Sequence, residues 1–141
     1  MRTPITKLVL VGFGSILILI GAAMISAPKA FLAMSQVHIE ADPSLLSELA
    51  APSGILLIAG LFMMVGAIKR RFTEPAILVG AVVYGSYGIA RLVTMFAAGI
   101  PSQSLVAATV MELVVATLLV GLLLTDLERQ PSGPETSALE A

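Results

Sequence analysis

The sequence contains no cysteine and a single histidine, His38. The absence of cysteine excludes disulfide bonds, iron–sulfur clusters, thiolate zinc sites and cysteine nucleophiles. One histidine argues against a metal or haem site built from several imidazole ligands, so we expect no metal and no cofactor. His38, Glu40 and Asp42 alternate along a predicted loop, but they offer only three ligands, and loop residues of this kind usually face water.

Charged residues are also scarce, at 12% of the chain, whereas a soluble domain has about 25%. The net charge is -1 and the basic residues are scattered, so no cationic surface is formed and we expect no nucleic-acid partner. Hydrophobic residues make up 57% of the 141 residues. This composition predicts an integral membrane protein, with room for one domain of four spans of about 20 residues each.

The apolar segments predict an all-α, integral membrane four-helix bundle with short loops. We place the helices at about residues 5–26, 43–68, 75–98 and 105–125, within a transmembrane domain of residues 1–126. Asp42 is expected to cap the second helix, and Pro43 suits its first turn. Residues 127–141 are polar and contain proline and glycine, so we expect a disordered cytoplasmic tail.

A signal peptide is the alternative interpretation of the first segment, because a basic start precedes an apolar stretch that ends in small residues. The uncharged run from Leu8 to Pro28 is, however, longer than the about 7–15 residues of a signal h-region. We therefore expect a retained first helix.

The basic residues predict the orientation of the bundle. Arg2, Lys7, the Lys69–Arg71 triplet and Arg129 fall on one side of the predicted topology. The other side has only Lys29 outside the spans. Because cytoplasmic loops carry the excess of lysine and arginine, both termini are predicted to be cytoplasmic.

Two opposite charges, Arg91 and Glu112, fall inside predicted spans. A single span over residues 92–111 would leave them at its ends, but it would place the Gly99–Ser104 turn at mid-bilayer with unsatisfied backbone groups. In the four-helix arrangement both charges lie about 10–12 Å below the outer surface, at a rise of 1.5 Å per residue. An isolated charge at a helix centre costs about 2.5–3.5 kcal/mol. We therefore predict an Arg91–Glu112 pair that faces the bundle interior.

Further polar residues share the helix faces of this pair. Tyr84 and Tyr87 lie on the same helical stripe as Arg91, and Glu48 is expected to reach the same region from the second helix. The predicted ligand-binding or structural cluster is therefore Glu48, Tyr84, Tyr87, Arg91 and Glu112, and no catalytic residue is assigned. Two interpretations stay open: a clasp that fixes helix packing, or a site for a polar headgroup, an anion or a proton.

Three stretches resemble a known family: "DPSLLSELAAPSGILLIAGLF" in the second helix, "GIARLVTMFAAGIPS" across the third helix and its turn, and "MELVVATLLVGLLL" in the fourth. They are similar to a domain-of-unknown-function family of small bacterial four-helix membrane proteins. Its pattern reads D-P-x-L-L-S-E-x-R-A-x-G-G, then G-R-x-x-S-x-x-x-x-G-x-P-S, then a glutamate in the last helix. The matching residues are Leu46, Ser47, Glu48, Gly54, Arg91, Gly99, Pro101, Ser102 and Glu112.

Three departures from this pattern matter: Ala50 stands where the family has arginine, Ala90 where it has glycine, and Thr94 where it has serine. The missing arginine leaves Arg91 as the only cation to balance Glu48 and Glu112. The resemblance implies a multi-pass protein of the bacterial cytoplasmic (inner) membrane, and it brings no established activity.

Two functions are compatible with these features. The first is the binding of a lipid, a quinone or another amphipathic ligand at an outer-leaflet polar pocket between the second, third and fourth helices. The second is an accessory or structural subunit of a larger membrane protein complex. Membrane lipids are expected partners in both cases, and a homo-oligomer is a further option. Catalysis is disfavoured because no nucleophile–base pair accompanies the glutamates, and transport because no inverted repeat is detected.

Overall fold

The computed structural model describes residues 4–40 and 42–128, which form five α-helices and no β-strand. The helices are α1 (Pro4–Ser26), α2 (Pro28–Ala33), α3 (Pro43–Ile68), α4 (Thr73–Ala98) and α5 (Gln103–Glu128), with a short 3-10 turn, Arg70–Phe72, before α4. The four long helices confirm the predicted all-α fold. The six-residue α2 lies between the first two predicted helices, where the sequence predicts no helix.

Local hydrogen bonds explain where α3 begins and how it connects to α4. The Asp42 carboxylate accepts a hydrogen bond from the backbone amide of Ser44 at 2.7 Å, which confirms the predicted cap. At the other end, the Thr73 hydroxyl donates to the carbonyl oxygen of Gly66 at 2.9 Å. This bond joins the first residue of α4 to the last turns of α3, so the two helices turn back on each other within a short connection.

Helices α1 and α3 are antiparallel and pack closely because glycines line their contact. A Cβ atom added at Gly60 would lie 2.6 Å from the carbonyl oxygen of Gly14. One added at Gly21 would lie 2.7 Å from the carbonyl oxygen of Ser53. Both distances are too short for a real side chain, so small residues are required for this helix separation. The two contacts draw α1 against α3 along much of its length.

Helix α4 occupies the centre of the bundle. Gly80 lies against Met63 of α3 and Leu119 of α5, and Gly88 lies against Leu113 of α5. Among the described residues, α5 packs extensively against α4 alone, whereas α1 packs chiefly against α3. The seam between α1 and α5 is therefore the least tightly closed side of the bundle.

The turn between α4 and α5 lies beside the connection between α2 and α3. Gly99 ends α4 with a φ of +98°, a conformation that glycine adopts without strain. The Ser102 hydroxyl then donates to the carbonyl oxygen of Ser35 at 2.9 Å. This bond links the two connections at one end of the bundle, opposite the end that carries Lys69, Arg70 and Arg71.

Helix α5 is longer than predicted, and it starts at Gln103 and continues to Glu128. The sequence prediction placed the fourth helix at about residues 105–125 and the tail from residue 127, so the observed helix extends a few residues beyond the predicted range at each end. No proline or glycine occurs between Gly121 and Pro131, and the local sequence therefore contains no strong helix breaker before that point. The rest of the predicted disordered tail lies outside the described residues.

The four long helices are long and apolar enough to cross a membrane. Large apolar side chains also cover much of the outer surface, for example Leu8, Ile58, Val93 and Phe96. Helices that are apolar on their outer faces as well as on their core faces are typical of proteins surrounded by lipid. The fold therefore fits a membrane protein.

Candidate functional site

Arg91 of α4 and Glu112 of α5 form an ion pair inside the bundle. The Arg91 Nε atom lies 3.2 Å from Oε2 of Glu112 and donates a hydrogen bond to Oε1 at 3.3 Å. Glu112 is buried, with 8% of its surface exposed, whereas the Arg91 side chain is 34% exposed. The pair therefore joins a deeply placed carboxylate to a cation that retains access to the exterior.

The hydrogen bonding of this pair is incomplete. Glu112 Oε2 is buried and accepts no hydrogen bond from the described part of the chain. Within that same part, the Arg91 guanidinium donates only through Nε, so its two terminal nitrogens make no hydrogen bond to protein. Oε2 also lies 3.2 Å from Arg91 Nε, so the charge of Arg91 offsets part of the free-energy cost of burying it. The pair therefore keeps hydrogen-bonding groups that the described residues do not use.

Tyr84 connects α4 to α1 at the base of the site. Its hydroxyl donates to the carbonyl oxygen of Phe13 at 2.8 Å, and the two rings pack edge to face with centroids 6.0 Å apart. Tyr84 is buried, with 2% of its surface exposed. Its hydroxyl proton is therefore already used within the bundle, and the residue positions the helices around the site.

Tyr87 lies one helical turn from Tyr84 and differs from it in its hydrogen bonding. The residue is half-buried, and its hydroxyl makes no hydrogen bond to the residues that the structure describes. Because Tyr87 precedes Arg91 by four residues on one helix, both side chains lie on the same face. Tyr87 therefore adds a free hydroxyl to the polar groups around the ion pair.

An internal cavity of about 130 Å³ lies between these groups. Its polar lining consists of Ser35, Tyr84, Tyr87, Arg91, Ser104 and Glu112. Its apolar lining comes from every helix of the bundle and includes Leu17, Ile20, Phe31, Leu56, Leu105 and Met111. The cavity thus has a polar region around the ion pair and an apolar region toward α1 and α2.

A second, more open cleft of about 380 Å³ lies beside the Gly99–Pro101 turn. Arg91 and Leu105 line both the cleft and the internal cavity. The cleft gives the Arg91 side chain contact with the exterior. Its charged group is therefore not fully buried, which lowers the cost of placing a charge here. Arg91 consequently lies at the boundary between the cavity and that end of the bundle.

The structure brings together four of the five predicted cluster residues: Tyr84, Tyr87, Arg91 and Glu112 all line the cavity. Glu48 does not line it, and its side chain is exposed on an early turn of α3. The predicted second carboxylate of the site is therefore placed outside the cavity. The face of α3 that carries Glu48 does not line the cavity. Leu56 is the α3 residue that does.

Comparison with protein families assigns the chain to a known family. The family described as Domain of unknown function (DUF4345) matches residues 5–123, which include all the residues that line the cavity. The chain belongs to this family. No curated protein and no solved structure matches the chain.

The cavity of this DUF4345 protein includes contributions that the sequence did not predict. Leu17 and Ile20 of α1, Phe31 of α2 and Ser35 of the following connection all line it, whereas the predicted pocket involved only the second, third and fourth long helices. The heptad-like spacing of Gly14, Leu17 and Gly21 marks the buried face of α1. That spacing could have indicated Leu17, but no local signal places Phe31 or Ser35 at the site.

The groups around the cavity in the described part of this DUF4345 protein can donate and accept hydrogen bonds. No group of three or more histidine, aspartate or glutamate side chains that could hold a metal ion occurs there. The hydroxyls at the cavity also have no general base paired with them, since Glu112 is engaged by Arg91. The arrangement supplies a carboxylate acceptor, guanidinium donors, hydroxyls that can donate or accept, and an apolar wall.

Proposed function

We propose that this DUF4345 protein is a four-span protein of the bacterial cytoplasmic membrane, with both termini in the cytoplasm, that binds an amphipathic membrane molecule. The cavity at the Arg91–Glu112 pair receives the polar end of that molecule. The observation that carries the proposal is a cavity lined by an Arg91–Glu112 ion pair whose hydrogen-bonding capacity is largely unused within the described residues.

The distribution of charge supports the orientation. Lys7 on α1 lies at the same end of the bundle as Lys69, Arg70 and Arg71, because α1 and α3 are antiparallel. The opposite end, where α2 and the α4–α5 turn lie, carries Lys29 as its basic residue among those described. Since the basic end faces the cytoplasm, the cavity lies in the outer half of the membrane.

A purely structural role for the ion pair would fit a different geometry. A clasp between α4 and α5 is most stable when the carboxylate and guanidinium satisfy each other and the surroundings are fully packed. Here one carboxylate oxygen accepts no hydrogen bond from the described residues, and a cavity of about 130 Å³ adjoins the Glu112 side chain. The combination of a void and unused polar groups supports a binding role.

Filling the cavity tests the proposal directly. Ala108 lines the cavity, whereas its neighbour Ala107 is exposed on the outer face of α5, so Ala108→Leu and Ala107→Leu form a matched pair. Each protein is purified in a mild detergent from its native membrane, and the lipids, quinones and other small molecules that co-purify are identified by mass spectrometry. We expect a specific amphipathic molecule with the wild type and with Ala107→Leu, and its loss from Ala108→Leu.

The same experiment separates the proposal from the alternative of an accessory subunit. If no small molecule is enriched over the surrounding membrane lipid in the wild type, the binding proposal is wrong. Co-purification of a stoichiometric protein partner in that case would favour the accessory role. Thermal unfolding of both leucine variants, followed by circular dichroism, shows whether each keeps the fold.

A further inference from the structure

We infer that the molecule bound in the cavity is an uncharged, single-chain amphiphile whose head carries a hydroxyl beside a carbonyl or ether oxygen, and that it enters between α1 and α5. This inference rests on the proposed function and specifies its ligand class. It follows from three properties of the site: its charge, its unused hydrogen-bonding groups, and the shape of its opening.

The charge of the site favours a neutral head. Arg91 and Glu112 balance each other at 3.2 Å, so the site already contains one cation and one anion. A phosphate or carboxylate head would approach the buried Glu112 carboxylate, and repulsion between like charges is strong where water is excluded. An anion that displaced Glu112 from Arg91 would leave that carboxylate buried and unpaired, which is also costly.

The unused hydrogen-bonding groups specify the head more closely. The Glu112 carboxylate accepts one hydrogen bond from the described residues, that of Arg91 Nε, so it can accept another from a ligand hydroxyl. The carboxylate can present either oxygen to the cavity, because its last torsion has a broad energy minimum. The terminal nitrogens of Arg91 and the hydroxyl of Tyr87 can both donate, so an adjacent carbonyl or ether oxygen is their natural partner. A ligand head with one hydrogen-bond donor beside one acceptor therefore complements these protein groups.

The dimensions of the site limit the ligand to a small head with one chain. An engineered cavity of about 150 Å³ in another protein holds one benzene molecule, and the cavity here is about 130 Å³. The head therefore contains only a few heavy atoms, such as a glyceryl group.

The route for the chain is the seam between α1 and α5. Among the described residues, these two helices lack the extensive packing that joins α1 to α3 and α4 to α5. Leu17 and Ile20 on the α1 side, with Leu105 and Ala108 on the α5 side, give this part of the cavity an apolar wall. A single hydrocarbon chain leaving the cavity here meets lipid directly.

Three oleoyl probes that differ only in their heads test the inference. Monooleoylglycerol is uncharged and carries hydroxyls beside an ester, oleoyl lysophosphatidic acid adds a phosphate to the same skeleton, and methyl oleate has the ester without a hydroxyl. Binding of each to the detergent-purified full chain is titrated by native mass spectrometry. We expect monooleoylglycerol to bind at least about tenfold more tightly than either other probe.

Two variants and one control test whether the difference in binding between the probes arises at this cavity. Ala108→Leu should remove monooleoylglycerol binding, and Ala107→Leu should keep it. Glu112→Gln removes the negative charge with little change in shape, so the discrimination against the phosphate probe should fall by about tenfold or more. If Glu112→Gln does not fold, the ratios measured on the wild type still decide the question.

The outcomes separate the ligand class from the proposed function. Tight binding of the phosphate probe to the wild type, lost in Ala108→Leu, would overturn the uncharged class and leave a binding protein for anionic amphiphiles. Equal binding of methyl oleate would overturn the requirement for a hydroxyl. If Ala108→Leu changes the binding of no probe, and no native molecule depends on that position, both the inference and the proposed function are wrong.

Discussion

Replacing Gly60 by alanine measures how closely α1 and α3 must pack. The added Cβ would lie 2.6 Å from the carbonyl oxygen of Gly14 and 2.9 Å from the backbone amide of Ile18. Both neighbours are backbone atoms, which cannot rotate away as a side chain would. The helices must therefore separate by about 1 Å to reach ordinary contact distances, and a gap of about 0.5–1 Å already loses a quarter to a half of the dispersion energy of the atoms involved.

The expected cost follows from two opposing terms. Overpacking of this kind typically costs about 1–3 kcal/mol, whereas alanine gains about 0.8–1 kcal/mol over glycine in the interior of a helix. Gly54 lies on the same helix with nothing within 4 Å of its added Cβ. Gly54→Ala should therefore show only the gain in helix propensity, without the cost of overpacking. We expect Gly60→Ala to be less stable than Gly54→Ala by about 2 kcal/mol.

The assay is reversible unfolding in detergent micelles by titration with sodium dodecyl sulfate, followed by far-ultraviolet circular dichroism. A second matched pair on α1 repeats the comparison: Gly21 would place a Cβ 2.7 Å from the backbone amide of Leu57, whereas Gly12 has nothing within 4 Å. If the crowded and uncrowded alanine variants unfold with the same free energy in both pairs, α1 and α3 do not pack as closely as the structure shows.

Two further substitutions test single hydrogen bonds by the same titration. Tyr84→Phe removes the donor to the Phe13 carbonyl and keeps the ring contact, so the free energy of unfolding should fall by about 1 kcal/mol; an unchanged value would show that this bond adds no stability. Asp42→Ala removes the cap on Ser44 and should also cost about 1 kcal/mol. Asp42→Asn keeps a capping oxygen, so an equal loss in both Asp42 variants would contradict the capping role.

The helix bounds could be predicted from the sequence because they depend on short-range signals. Proline after Ser26, the Asp42–Pro43 pair and the glycine at position 99 each act on the backbone within one turn. The end of α5 at Glu128 lies a few residues beyond the predicted range, because that segment contains no cap or breaker and only its polar composition suggests a helix end. Element ends without a cap or a breaker are the least determined by local sequence.

The relative positions of Arg91 and Glu112 were also accessible from the sequence. Both lie at similar distances from one tight turn, and the constant rise of a helix then places them at one level. The structure gives the distance of 3.2 Å between Arg91 Nε and Glu112 Oε2 and shows that Oε2 accepts no hydrogen bond from the described residues, and neither could be calculated from spacing. Both depend on the side-chain conformations that the packed bundle allows.

The direction of the Glu48 side chain could not be predicted from the sequence. Its sequence places it on an early turn of α3, but the direction of its side chain depends on the rotation of α3 about its own axis. That rotation is set by the glycine contacts with α1, which turn Ser53 and Leu56 inward and leave Glu48 exposed. Rotation of a helix that is apolar all round cannot be read from its hydrophobic pattern.

The sequence by itself determined that this chain forms four long apolar helices and that one arginine and one glutamate lie opposite each other on two of them. These properties follow from composition, local breakers and helix rise, which act over short distances. Only the tertiary structure decided that the pair adjoins a cavity, that α1 and α2 help to line it, and that Glu48 lies outside it. These features depend on how closely each pair of helices packs, and that is determined by small residues meeting across helices far apart in the chain.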